Sequence, residues 1–74
     1  MNSSSVLYAV VIEKAGTNYS AYAPDLPGVI TTGPTPEATE RNMRDAIAFH
    51  LRELRAAGEP IPAPTTRATY VSAR

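Results

Sequence analysis

Tyr22-Ala23-Pro24-Asp25-Leu26-Pro27-Gly28-Val29 decides how the rest of the chain is read. Pro24 fixes φ and offers no backbone donor, so a strand running into it must end there or lie at an edge. Asp25 is able to bond the backbone just after it, and Gly28 tolerates positive φ. Leu26 is the one large apolar residue between the two prolines. The stretch reads as a rigid corner, with Pro24, Pro27 and Gly28 as its structural residues, handing the chain from one strand to the next.

Upstream, residues 6–14 read Val-Leu-Tyr-Ala-Val-Val-Ile-Glu-Lys and are rich in strand formers. Alternation puts Tyr8, Val10 and Ile12 on one face and Leu7, Ala9, Val11 and Glu13 on the other. Both faces are mostly apolar, which predicts a central strand covered on both sides. Ala15-Gly16-Thr17-Asn18 supplies a hairpin loop. Residues 19–23 form the second predicted strand, and residues 29–32, beyond the corner, the third.

Downstream, Thr35-Pro36-Glu37 is a helix start: an N-cap hydroxyl, a proline at the first helical position and an acid at the positive end of the dipole. The helix is expected to run to Ala57, with Gly58 as the C-terminal cap. At ~100° per residue, Met43, Ile47, His50, Leu51 and Leu54 share a stripe that should lie on the sheet. Phe49 falls outside it, and Arg41, Arg44, Arg52 and Arg55 gather along another flank. Pro60-Ile61-Pro62-Ala63-Pro64 favours an extended path back along the sheet. Thr66-Arg67-Ala68-Thr69-Tyr70-Val71 then reads as a fourth strand at an edge.

The whole is one small α+β domain over residues 1–74, β-β-β-α-β in order, with three to four antiparallel strands and one long helix on one face. Residues 1–5, Met-Asn-Ser-Ser-Ser, read as a mobile polar tail with no secretion signal. The 74 residues carry seven basic and seven acidic side chains, for a formal net charge of zero. That argues against strong binding to nucleic acid, which rests on phosphate neutralisation. No apolar run approaches ~18 residues, so no membrane helix is expected. With no cysteine there is neither disulfide nor thiolate chemistry, which fits a cytoplasmic setting. A chain this short buries only about 60% of its unfolded surface. Together with the two apolar faces of the first strand, this predicts a homodimer or a dimer of dimers.

Taken in order, Tyr22-Ala-Pro-Asp-Leu-Pro-Gly28, Gly33-x-Thr35-x-Glu37, Ala46-Ile-Ala-Phe-His-Leu51 and Gly58-Glu-Pro-Ile-Pro-Ala-Pro64 resemble the HicB family of antitoxins, in its N-terminal domain. The similarity runs from about Leu7 to Val71. It implies a partial, degenerate ribonuclease H-like fold, self-association, and a non-catalytic role: binding and occluding a small HicA-like toxin that cleaves mRNA. The C-terminal segment with which family members bind operator DNA has no counterpart up to Arg74, so strong DNA binding by this chain alone is not expected. The rival readings are a stand-alone small-molecule binding or sensing module, a toxin-free oligomeric interaction module and, last, a divergent nuclease.

A ribonuclease H-like nuclease needs carboxylates converging on metal ions ~4 Å apart, one of them on the central strand. The first strand carries Ala9-Val10-Val11-Ile12 there. His50 is the single histidine and has no second His or Cys with which to build a metal site. No cofactor, metal site or catalytic residue is therefore expected. The candidate partner-binding residues are Asp25 and Leu26 in the corner and Phe49 on the helix. Plain structural readings stand alongside: Asp25 ties the corner together, and Phe49 is a singly exposed apolar residue. The arginine flank has the i,i+4 spacing to Glu37 and Glu40 of an ordinary solvated helix face.

Overall fold

The computed structural model describes residues 6–74. Three strands and one helix come in order: β1 (Val11–Ala15), β2 (Asn18–Tyr22), β3 (Ile30–Gly33) and α1 (Pro36–Ala56). The expected α+β arrangement holds, with a three-stranded antiparallel sheet and the helix packed on one face. The expected mobile tail, residues 1–5, lies outside the described residues.

β1 and β2 join through a two-residue loop, Gly16-Thr17, since Ala15 pairs with Asn18. Gly16 has φ +65° and Thr17 does not share it, which is the pattern of a type II′ hairpin turn. Two turns in series make the corner. The Leu26 N–H donates to the Ala23 carbonyl at 3.0 Å, and the Val29 N–H donates to the Leu26 carbonyl at 3.2 Å. Pro24 and Pro27 each occupy the second position of their turn, where a fixed φ near −65° belongs. Gly28, at φ +87°, takes the position a type II turn reserves for glycine. The prolines and Gly28 thus build the corner as the sequence indicates.

The helix ends match the sequence closely. Thr35 Oγ1 accepts from the Ala38 N–H at 3.0 Å, and Pro36 opens the first turn. At the other end the Glu59 N–H reaches the Leu54 carbonyl at 2.8 Å and the Gly58 N–H reaches that of Arg55 at 3.1 Å, with Gly58 at φ +73°. This pair of bonds is a Schellman cap. Between the caps Met43 and Leu51 are buried, and Ala46, Ile47, His50 and Leu54 half-buried. Met43, Ala46, Ile47, Leu51 and Leu54 meet Ala21, Ala23, Leu26 and Val29 from the sheet and corner. Thr39 is fully buried, its hydroxyl donating to the Thr35 carbonyl at 2.7 Å. It sits so close to Gly33 that a β-carbon there would lie 2.6 Å from the Thr39 hydroxyl. Glycine therefore lets the end of β3 pass directly beneath the start of the helix.

Three expectations about strands are corrected. The first strand starts at Val11 rather than Val6. Beyond the Val11–Tyr22 pair the ladder would need Ala23, whose carbonyl already serves the corner turn, and Pro24, which has no donor. The first strand is also not central. The order is β1-β2-β3, so β2 is in the middle and β1 lies at an edge. Its two apolar faces have separate causes. Tyr8, Val10 and Ile12 pack against the core, whereas Val11 joins Tyr22 and Ile30 in a cross-strand row on the open face of the sheet. Leu7 is 83% exposed. Lastly, residues 66–71 form no strand.

Candidate functional site

The corner draws two remote parts of the chain together. Leu26, at 1% exposure, anchors it in the core. Next to it, Asp25 is only partly covered, and its carboxylate is fully engaged. Oδ2 accepts the backbone N–H groups of Thr65 and Thr66, both at 2.9 Å. Oδ1 accepts their hydroxyls at 3.0 and 2.8 Å. Four donors converging on one carboxylate favour its charged form. They hold the Asp25 carboxyl below the usual aspartate range, the Thr66 N–H contributing most and the Thr66 hydroxyl next, against a smaller opposing effect of desolvation.

Upstream of this clamp the same segment is fixed twice more. Ile61 packs against the core, and the Tyr8 hydroxyl donates to the Pro62 carbonyl. The prolines keep residues 60–64 extended, and these contacts choose the line they take. The stretch leads to the corner, where Asp25 holds Thr65 and Thr66, and it does not become a strand.

Phe49 lies outside the buried stripe of α1 and is 57% exposed. The Arg52 guanidinium sits 5.9 Å from its ring centroid, a cation–π pair one helical turn apart. Asn42, two turns earlier on the same flank, donates from Nδ2 to the Thr32 carbonyl at 2.9 Å, which places this flank toward β3. Arg41, Arg44, Arg52 and Arg55 are all exposed, and Arg44 pairs with Glu40 at 3.2 Å. At the opposite edge, between β1 and α1, an apolar groove of about 480 Å³ opens, lined by Tyr8, Val10, Ile12, Met43 and Ile47 with Arg44 at its rim.

The three candidate partner residues are not brought together. Leu26 faces inward, Asp25 is occupied by Thr65 and Thr66, and Phe49 stands apart with Arg52. Sequence reasoning missed Thr65 and Thr66 altogether. Two adjacent hydroxyls behind a proline run were the available signal, but their acceptor lies 40 residues away, where no spacing rule reaches. Among the described residues, no group of three or more His, Cys, Asp or Glu side chains is placed to hold a metal ion.

Residues 8–74 match the family described as the HicB-like antitoxin of a bacterial toxin–antitoxin system. This chain belongs to the HicB-like antitoxin family. It is also 30% identical, over 67 residues, to an uncharacterized 14.9 kDa protein of the rep–hol intergenic region of Haemophilus phage HP1 (strain HP1c1). That alignment takes in 90% of this chain and 50% of the phage protein, so the chain spans about half the length of that relative. No solved structure matches. Among the described residues, no helix is long and apolar enough to cross a membrane.

Proposed function

We propose that this HicB-like chain is a non-catalytic inhibitory domain that binds a small HicA-like toxin and covers the surface with which it cleaves mRNA. The reading rests on the family match across residues 8–74. Its site of action is then the cytoplasm, where the toxin meets mRNA. Inhibition by occlusion requires a rigid surface, because a partner that must first be ordered loses affinity to that ordering. The capped helix α1 supplies one, and Phe49 under Arg52 is its exposed aromatic anchor. Aromatic and arginine side chains are the residue types that dominate binding energy at protein interfaces. Asp25 and Leu26 contribute to this surface indirectly, by fixing the corner and the segment beside it.

The test is an RNA-cleavage assay with a HicA-like toxin, ideally the product of a gene adjacent to the one for this chain. Stoichiometric addition of the chain should abolish cleavage, and the chain alone should cut no RNA with Mg²⁺ or Mn²⁺ present. Phe49→Ala, at an exposed position, should leave folding intact and weaken inhibition by about tenfold or more, corresponding to a loss of at least ~1.4 kcal/mol. Unchanged inhibition by Phe49→Ala would remove the helix surface from the interface. Absence of any complex with the toxin would sink the proposal as a whole.

A further inference from the structure

The fourth strand expected from the sequence is missing, yet both halves of its site are present. Residues 67–71, Arg-Ala-Thr-Tyr-Val, include the strand formers Thr69, Tyr70 and Val71 and alternate polar with apolar up to Tyr70. They lie free: Tyr70 is 100% exposed and Val71 84%. The dimensions of the molecule agree with a free segment. Its radius of gyration is 13.8 Å, against about 11 Å for a compact chain of this length.

The vacant seat is the outer edge of β1. Residues 6–10 approach β1 in its own direction, and among the described residues they have neither a ladder partner nor a turn or loop hydrogen bond. Beside them opens the groove between β1 and α1, because the helix lies chiefly over β2 and β3. A strand added there would pair the outward-pointing backbone groups of residues 6–10 and send alternate side chains into the groove.

A chain is poorly placed to fill its own seat. Its path passes Tyr8 at Pro62 and reaches the corner at Thr65 and Thr66, where Asp25 takes both N–H groups. Turning back from there needs a reversal, and residues 66–71 hold no Gly, Pro, Asn or Asp to make one. We infer that residues 67–71 of one copy form the fourth strand on the β1 edge of a second copy, and reciprocally. The alternation suits this. Tyr70 and Ala68 point together into the apolar groove, leaving Arg67, Thr69 and the terminal Val71 on the other side. The donated segment and the receiving edge are each five residues long. Because every copy carries both donor and acceptor, a twofold pair closes on itself. The exposed edge strand is thereby covered rather than left as a template for aggregation.

The experiment uses the chain by itself, so its outcome is independent of the antitoxin reading. Sedimentation equilibrium should give a dimer at micromolar concentration. Tyr70→Asp touches nothing within the monomer, so its circular dichroism should match the parent at matched low concentration. Its dissociation constant should rise by about tenfold or more. Amide hydrogen exchange at residues 6–10 and 68–71 should slow together as concentration is raised. A wild-type chain that stays monomeric overturns the inference. So does a dimer whose strength ignores Tyr70→Asp, or one whose two segments exchange at the same rate at low and high concentration.

Discussion

Two stretches of this chain are rich in proline, and they hold their shape in opposite ways. Residues 23–29 close on themselves, with two backbone hydrogen bonds, a glycine at positive φ and a leucine driven into the core. Residues 60–66 contain three prolines and no glycine, and no hydrogen bond closes within them. Their course is set from outside, by the core around Ile61, by Tyr8 and by Asp25. Proline stiffens φ in both. Closing a turn also takes a donor two residues after the proline, and the second corner turn adds a glycine at positive φ. The later segment has no glycine, Pro60 and Pro62 are each followed two residues on by another proline, and the Thr66 N–H after Pro64 goes to Asp25, so the segment depends on the corner for its place.

The strongest way to break this contrast is to empty the corner. Leu26→Ala removes a fully buried side chain and should cost about 2–5 kcal/mol. A chain of this length has a total stability of only about 4–11 kcal/mol. Chemical denaturation should therefore show a severe loss or outright unfolding. Ile61 is half-buried in the dependent segment, and Ile61→Ala should cost less than half as much. Equal losses at the two positions would mean that both proline stretches are built into the core alike.

Gly28→Ala sharpens the same point with a smaller effect. A β-carbon at Gly28 would meet nothing within 4 Å, so no clash contributes. The remaining penalty is the φ of +87°, which disfavours an L side chain by roughly 1–2 kcal/mol. A denaturation midpoint within error of the parent would show that the corner is held by Leu26 alone and that its turn geometry is incidental.

The legible parts of this fold are those whose cause lies within a few residues. Thr35, Pro36 and Gly58 mark the helix ends, the stripe from Met43 to Leu54 marks its buried side, and Pro24 to Gly28 spell two turns. Each rule acts over one or two turns of backbone. The edge position of β1 was not legible. Its apolar faces serve the core on one side and the row with Tyr22 and Ile30 on the other, and alternation cannot tell such a strand from a central one. Nor was the partnership of Asp25 with Thr65 and Thr66 legible. The local chemistry allowed an Asx-type bond inside the corner, and the actual donors arrive only because the prolines and Ile61 steer them there. The same blindness affected Leu26, whose isolation between prolines looks like a surface feature until the two turns roll it inward.

The smallest expected effect, and the most local, is the pH response of the clamp. The folded carboxyl of Asp25 lies below its ordinary value of 3.8, held there mainly by the Thr66 N–H and hydroxyl. In the unfolded chain these donors are lost and the carboxyl returns to that value. Linkage gives the sign: a lowered folded pKa stabilises the folded state above the unfolded pKa, and this contribution fades as pH falls through the folded one. Between pH 7 and 5 the clamp should therefore be insensitive to pH. In more acid solution, the Thr65 and Thr66 amide resonances should shift together, with a midpoint below 3.8, while resonances of Met43 and Leu51 hold steady until the chain unfolds globally. Asp25→Asn should abolish the shared transition and speed amide exchange at Thr65 and Thr66 without disturbing the helix. A midpoint at or above 3.8, or threonine amides that ignore acid, would show that Asp25 does not hold the segment. The corner and the later proline stretch would then be independent, and the dependence of one on the other would have to rest on Tyr8 and Ile61 alone.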